Sequence, residues 1–187
     1  KELPFTDVKK SDWSYKAIKY MYDNKYISGT TSTTFSPKMK LTRGMLVTIL
    51  HNMEGKPNVS GKSKFPDVQN TNEYYYSAVK WASKNNIVNG YNNGKFGPND
   101  PITREQLAVM LNQYSIYKGT YQKTNADFSK FSDSNKISDF AKWGMNWAVG
   151  TGVITGTTEK TLIPQGTASR EEAAAMIYKY FLSLKNS

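Results

Sequence analysis

Three arginines stand at positions where a helix is predicted to begin, and the best defined of them is Arg104. Thr103 has the hydroxyl of a good N-cap, and Gln106, three residues later, can close a capping box. Arg104 therefore falls in the first helical turn, where the macrodipole already presents partial positive charge. A guanidinium beside free backbone N–H donors can bind a carboxylate or phosphate in a bidentate way. The pattern predicts an anion clamp, because an anionic ligand would explain why an arginine lies at the positive end of a helix.

The same arrangement occurs three times along the chain. Counted from Gly29, Gly90 and Gly156, a proline follows eight residues later, an arginine follows fourteen residues later, and an aromatic residue precedes by nine. A Phe-x-Asp motif opens each unit. One supersecondary unit is therefore repeated three times. The equivalent residues are Pro37, Pro98 and Pro164; Arg43, Arg104 and Arg170; Tyr20, Trp81 and Trp147; and Asp7, Asp67 and Asp133.

The combined motif resembles the S-layer homology domain, whose pattern is Phe-x-Asp, an aromatic helix, a glycine, Phe-x-Pro and Thr-Arg-x-Glu. The resemblance runs from Phe5 to about Leu182. Only Glu172 matches the glutamate of the pattern, whereas Met45 and Gln106 take its place in the first two units. The resemblance implies a largely helical, pseudo-threefold module that anchors exported proteins to acidic secondary polysaccharides of bacterial cell walls. It also implies a ligand that carries pyruvate ketals on an N-acetylmannosamine-type residue.

Each unit is predicted to contain two helices. The first begins just after the Phe-x-Asp turn, with Asp12, Asn72 and Ser138 as N-caps, and the second begins at the arginine. A tight turn at Asn93 and Gly94 predicts short extended pieces in the loops. We expect a mainly α fold, in which three helix-loop-helix repeats pack around a pseudo-threefold axis and share one core. The repeats span residues 1–54, 65–115 and 131–187, with linkers at 55–64 and 116–130.

The repeated residues have two interpretations each. The arginines either form inter-unit salt bridges to the Phe-x-Asp aspartates or clamp a ligand anion, and both can hold together. The aromatic residues nine before the glycines either pack in the core or line ligand grooves. The glycines supply positive φ after a helix and can also admit a sugar ring, while the aspartates either cap turns or contact ligand. The candidate ligand-binding residues are Arg43, Arg104, Arg170, Asp7, Asp67, Asp133, Gly29, Gly90, Gly156, Tyr20, Trp81 and Trp147.

The three arginines are not expected to contribute equally. Gln106 and Glu172 can close capping boxes at the starts of their helices, whereas Met45 cannot. Arg43 should therefore be held least firmly, and the other two arginines should provide most of the affinity.

The charge balance favours an acidic partner. The 25 lysines and arginines exceed the 15 acidic residues and give a formal net charge of +10, which attracts polyanions over long range. Nucleic acid, anionic lipid and acidic polysaccharide all qualify. The basic residues are scattered through the units, without a dense basic run, an RNA-binding aromatic signature or a basic amphipathic helix. The distribution therefore favours polysaccharide over nucleic acid or a membrane.

Catalytic and membrane-spanning functions find little support. His51 is the only histidine and cysteine is absent, so the repeats offer no catalytic triad and no metal-ligand spacing. A glycosidase needs two carboxyl groups in unlike environments, whereas the repeated acidic residues are equivalent. No apolar run approaches the roughly 20 residues of a membrane span. No signal peptide opens the chain, which we interpret as part of a larger exported protein.

We therefore expect a noncovalent, extracellular anchor to the bacterial cell wall that acts as a monomer, without catalysis, metal or cofactor. Its expected partner is an acidic, pyruvylated wall polysaccharide. Basic nucleic-acid binding and peptidoglycan binding remain alternatives, and glycoside hydrolysis is less favoured.

Overall fold

A computed structural model describes residues 1–187 and contains six α-helices, two in each predicted unit. Two 3₁₀ turns precede the fifth helix, and only isolated bridges pair extended residues. The prediction of a mainly α fold is confirmed. None of the helices is both long enough and apolar enough to cross a membrane. The helices are α1 (Tyr15–Asp23), α2 (Arg43–Met53), α3 (Tyr76–Lys84), α4 (Arg104–Tyr117), α5 (Lys142–Gly150) and α6 (Arg170–Lys185).

The second helix of each unit begins at the arginine, as predicted. The hydroxyls of Thr42, Thr103 and Ser169 accept the backbone N–H of the third helical residue. Gln106 and Glu172 close capping boxes in α4 and α6, and α2 has none. These contacts join residues only three apart, which is why the residue types alone predict them.

The first helix of each unit begins two or three residues later than predicted, so Asp12, Asn72 and Ser138 are not its N-caps. The Asp12 carboxylate accepts the Lys9 N–H at 2.8 Å and closes the turn that precedes α1. The Ser138 hydroxyl donates to Glu105 instead. The side chains of Asp12 and Ser138 therefore bond to groups other than the backbone N–H of the helix. A helix begins later when its predicted capping side chain is used elsewhere.

The first helices end in a left-handed residue, but not at the repeated glycines. Gly29 and Gly90 lie beyond the helix ends without a positive φ, and only Gly156 has one, at 83°. The prediction that these glycines terminate the helices is wrong. In α1 the two residues after the C-cap donate back to Tyr22 and Met21, which is the Schellman pattern. The left-handed residues are Lys25, Asn86 and Gly152.

Close packing explains the repeated glycines. A Cβ atom on Gly29, Gly90 or Gly156 would lie within 3.0 Å of the phenylalanine ring that opens the same unit. An alanine would therefore displace the ring or the loop. The rings are those of Phe5, Phe65 and Phe131.

The helices pair between units. Helix α2 packs on α3, α4 packs on α5, and α6 packs on α1. Just before the second helices, Leu41, Ile102 and Ala168 exchange three backbone hydrogen bonds of 2.8 to 3.0 Å in a closed ring. One continuous core of 42 buried residues draws on all three units, so they form a single folded module. The cyclic order is the one expected for a pseudo-threefold axis.

Candidate functional site

Each repeated arginine reaches from its own unit to the loop of another. The Nε atoms of Arg43, Arg104 and Arg170 donate to backbone carbonyls at 2.8 to 2.9 Å. The side chains are buried, and burial lowers the pKa of each guanidinium. An arginine keeps its charge at physiological pH all the same. The acceptors are the carbonyls of Phe96, Leu162 and Phe35, respectively.

The Phe-x-Asp aspartates bind the same loops through the backbone amides. The Asp67 carboxylate accepts the N–H groups of Phe96 and Gly97 at 2.9 and 2.8 Å, and Asp7 and Asp133 make equivalent pairs. Burial raises the pKa of each carboxyl, but the donated hydrogen bonds outweigh it and hold the pKa below its usual value.

The predicted salt bridges between the arginines and these aspartates are not formed. Of the three arginines, only Arg104 makes an ion pair, and its partner is Glu172. The aspartates instead accept backbone amides of a loop 28 to 30 residues later in the chain, so they hold that loop and do not cap a local turn.

The backbone N–H groups at the starts of the second helices are not free for a ligand. In α4 the Arg104 N–H donates to the Gly166 carbonyl at 2.8 Å, and the Glu105 N–H donates to the Pro164 carbonyl at 3.0 Å. The first two residues of α2 and α6 donate in the same way, and a hydroxyl caps the third N–H. The clamp predicted from the helix N-terminus is therefore wrong in its backbone part. Only the outer guanidinium nitrogens, Nη1 and Nη2, are left for an anion.

Groove 1 is a cavity of about 570 Å³ to which all three units contribute. It contains Arg43 from the first unit, Gly90 and Tyr91 from the second, and Phe140 from the third. The Arg43 guanidinium carbon lies 4.5 Å from the centroid of the Tyr91 ring and 4.8 Å from that of Phe96. Its Nε makes the only hydrogen bond of the side chain. Neither outer nitrogen therefore has a hydrogen-bond acceptor within the protein, which is the state that a bidentate carboxylate ligand requires.

The other two arginines use part of their outer nitrogens within the protein. Groove 2 is a cavity of about 310 Å³ that contains Arg104, Gly156 and Glu172, and Arg104 Nη1 donates to Glu172 Oε2 at 3.0 Å. Groove 3 is the surface around Arg170, whose Nη2 donates to the Ser28 carbonyl at 2.6 Å. The three grooves therefore have equivalent arginines but differ in how many outer guanidinium nitrogens are left for a ligand.

Sequence analysis did not identify a second set of repeated aromatic residues, which lies at the grooves. Trp13, Tyr74 and Phe140 are 65%, 55% and 63% exposed. Phe140 lines groove 1 and Trp13 lines groove 2. By the same cyclic order of units, Tyr74 of the second unit is the equivalent residue for groove 3, where Arg170 of the third unit bonds to Ser28 of the first. A constant offset of sixteen residues before each glycine is the signal that identifies them.

The aromatic residues that the sequence selected as candidates lie in or against the core. Trp81 and Trp147 are each 1% exposed, so neither indole has a free face for a sugar ring. Tyr20 is half-buried and packs on Tyr178 and Phe181, at centroid distances of 5.1 and 5.4 Å. Burial thus favours the packing interpretation of these three residues.

Comparison with known proteins identifies the repeated unit. The family model described as "S-layer homology domain" matches residues 4–44, 64–108 and 130–174. The chain is 34% identical to an endoglucanase of Bacillus sp. (strain KSM-635), over 94% of this chain and 18% of the endoglucanase. It is 30% identical to the surface-layer 125 kDa protein of Lysinibacillus sphaericus, over 87% of this chain and 13% of that protein.

A cellulosome-anchoring protein of Acetivibrio thermocellus is 23% identical, over 81% of this chain and 34% of that protein. The chain spans less than a fifth of the length of the endoglucanase and the surface-layer protein. The three family matches together cover more than half of the chain and fall on the three structural units. The chain therefore belongs to the S-layer homology domain family and contains three tandem copies of the domain.

Proposed function

We propose that this module anchors an exported protein to the bacterial cell wall by binding an acidic, pyruvylated secondary wall polysaccharide in the inter-repeat grooves. The observation that carries the proposal is that a buried arginine shares a cavity with an exposed aromatic ring twice: Arg43 with Phe140 in groove 1, and Arg104 with Trp13 in groove 2. Guanidinium groups bind carboxylates, and aromatic faces stack on sugar rings. An acidic sugar satisfies both groups at once.

The relatives support an anchoring role. Two are named as a surface-layer protein and a cellulosome-anchoring protein. Others are named as enzymes, such as an endoglucanase and an amylopullulanase, and the chain matches only 18% and 9% of their lengths. A module that accompanies such different proteins fits a shared location better than a shared reaction. We therefore place it outside the cell, at the wall, and assign it no catalysis.

In groove 1, Arg43 would bind the carboxylate and Phe140 would stack on the sugar ring. A pyruvate ketal fixes its carboxylate to the ring, so one residue of the polymer would present both a carboxylate and a ring face to this cavity. Gly90 lines the groove with its backbone, and its missing side chain makes room for the Phe65 ring. Asp67 acts indirectly, because it orders the loop whose carbonyl orients Arg43. We assign Tyr20, Trp81 and Trp147 to packing.

A sedimentation assay with purified wall sacculi tests the proposal. The protein should bind intact walls, and acid extraction of the secondary polymer should abolish binding. The triple variant Arg43→Ala, Arg104→Ala, Arg170→Ala should lose binding while circular dichroism shows that it is folded. A triple lysine-to-alanine variant at the exposed residues Lys38, Lys62 and Lys64 removes the same charge and should retain binding.

Equal retention on stripped walls would contradict the proposal and favour peptidoglycan. Binding to a DNA duplex that survives moderate salt would favour the nucleic-acid alternative.

A further inference from the structure

The residue two positions after each arginine lies opposite the arginine of another unit. Gln106 lines groove 1 together with Arg43. Glu172 accepts a hydrogen bond from Arg104 in groove 2 at 3.0 Å. In groove 3 the Met45 sulfur lies 3.9 Å from Arg170 Nη1. One repeated position therefore presents an amide, a carboxylate and a thioether to the three repeated guanidinium groups.

Helix capping fixes which atom of Gln106 and Glu172 is available to the groove. Gln106 Oε1 accepts the Thr103 N–H at 3.0 Å, so the NH₂ group is the end of the amide that is left for the groove, where the Tyr91 hydroxyl is its neighbour. Glu172 Oε1 accepts from the Ser169 hydroxyl at 2.9 Å, so Oε2 is the free end and pairs with Arg104. The same capping geometry thus supplies a donor to groove 1 and an anionic acceptor to groove 2.

We propose that this position sets the anion affinity of each groove and makes groove 1 the principal carboxylate site. In groove 1 a ligand carboxylate meets the two outer nitrogens of Arg43, which make no ion pair, and a nearby amide donor. The Asp100 carboxylate lies near this arginine, but it accepts the Tyr91 hydroxyl at 2.8 Å and does not pair with the guanidinium. In groove 2 it must compete with Glu172 for Arg104 and is repelled by the same charge. This inference rests on the proposed function and reverses the ranking predicted from capping alone, in which Arg43 contributes least.

Two further groups modify the ranking of the other grooves. Lys179 lines groove 2 and donates to the Thr155 hydroxyl, so it offers a point charge without the planar fork of an arginine. In groove 3, Arg170 Nη2 is committed to the Ser28 carbonyl and Nη1 faces sulfur, a weak acceptor. Groove 3 should therefore bind a carboxylate less tightly than groove 1, through one free guanidinium nitrogen.

A reciprocal exchange tests the proposal with little risk to the fold. The variants Gln106→Glu and Glu172→Gln each place in one unit the residue that already closes the capping box of the other. The probe is the methyl glycoside of pyruvylated N-acetylmannosamine, and the same glycoside without the pyruvate ketal is the uncharged control. The amide signals of Gly90, Gly156 and Gly29 in ¹⁵N spectra report on grooves 1, 2 and 3.

In the unmodified protein, the Gly90 signal should saturate at the lowest concentration of the pyruvylated probe. Gln106→Glu should weaken binding at groove 1 by about tenfold or more, and Glu172→Gln should strengthen binding at groove 2 by a similar factor, because a charge-assisted hydrogen bond is lost or gained. Binding of the uncharged glycoside should not change. The double variant Glu172→Gln, Lys179→Gln should still bind the pyruvylated probe at groove 2 more tightly than Lys179→Gln alone.

The proposal is overturned if Gly156 saturates before Gly90 in the unmodified protein, or if the exchange leaves both dissociation constants unchanged. If the exchange has no effect while the triple arginine variant still abolishes binding to walls, only this inference fails. If the triple arginine variant binds walls normally, the proposed function fails as well. Absence of binding by the pyruvylated probe in all three grooves would contradict both.

Discussion

Asp67 and Arg43 belong to different repeats and hold the two polar backbone groups of one residue. Asp67 Oδ1 accepts the Phe96 N–H at 2.9 Å, and Arg43 Nε donates to the Phe96 carbonyl at 2.9 Å. The carboxylate and the guanidinium are thus linked through the backbone of Phe96 without pairing directly. The other two units repeat this link at Leu162 and Phe35. The aspartate therefore stabilises the loop on which the arginine depends.

Asp67→Asn should lower the free energy of unfolding by about 1–3 kcal/mol, because the amide nitrogen would face a backbone N–H that needs an acceptor. Urea unfolding followed by circular dichroism measures the loss. Asp139→Asn is the matched control, since that carboxylate is exposed and pairs only with exposed Lys142, and its cost should stay within about 0.5 kcal/mol. Equal effects of the two variants would show that the loop does not need the carboxylate.

Acid should destabilise the module through the same aspartates. Their pKa in the folded protein lies below the ordinary value, so they bind protons less readily when folded than when unfolded. Their stabilising contribution is present above about pH 4, the unfolded pKa of an aspartate, and is lost as the pH falls through the folded pKa. Urea unfolding between pH 7 and pH 3 measures this loss. Asp67→Asn should show a smaller pH dependence than the unmodified protein, and parallel curves would contradict the assignment.

Arg43→Lys should weaken binding to walls almost as much as Arg43→Ala. Lysine keeps the charge but has neither the Nε–H that bonds to Phe96 nor the fork that engages a carboxylate. Sedimentation with walls at several protein concentrations compares the three forms, and circular dichroism confirms that each is folded. Lysine binding as tightly as arginine would show that groove 1 uses charge alone.

Phe140→Ala should reduce affinity for the wall, whereas Trp81→Ala should reduce the stability of the fold. Phe140 is exposed at groove 1, so its loss should reduce affinity by about 0.5–1.5 kcal/mol without changing stability. Trp81 is buried, so its loss should lower the free energy of unfolding by about 3–5 kcal/mol. Wall binding and urea unfolding are measured for both. Trp143→Ala is the control for Phe140, because Trp143 is half-exposed and does not line groove 1. Equal loss of affinity in the two exposed variants would rule out specific stacking.

Raising the salt concentration should weaken wall binding without abolishing it. The long-range attraction of a +10 chain is screened within about 10 Å at 0.1 M salt, while partly desolvated contacts of the arginines are screened less. Binding is measured by sedimentation over a series of sodium chloride concentrations. Complete release at moderate salt would indicate diffuse charge attraction, and the Arg43→Ala variant should be released at lower salt than the unmodified protein.

Local features of the fold could be predicted from residue types. The repeat itself, the start of each second helix and the presence or absence of a capping box depend on groups within a few residues of one another. Gln106 and Glu172 close capping boxes and Met45 does not, as their side chains predict. The helix starts that failed, at Asp12 and Ser138, are places where the capping side chain is used by another turn or another unit.

The grooves depend on contacts between residues far apart in the chain. The cyclic pairing of units buries Trp81 and Trp147, closes the helix N-termini with carbonyls of another repeat and brings Gln106 opposite Arg43. A helical pattern of apolar residues shows that one face is buried, but it does not show which unit covers it. Closure of the three units into one core determines which unit covers each apolar face, because each unit is too small to bury its apolar surface alone.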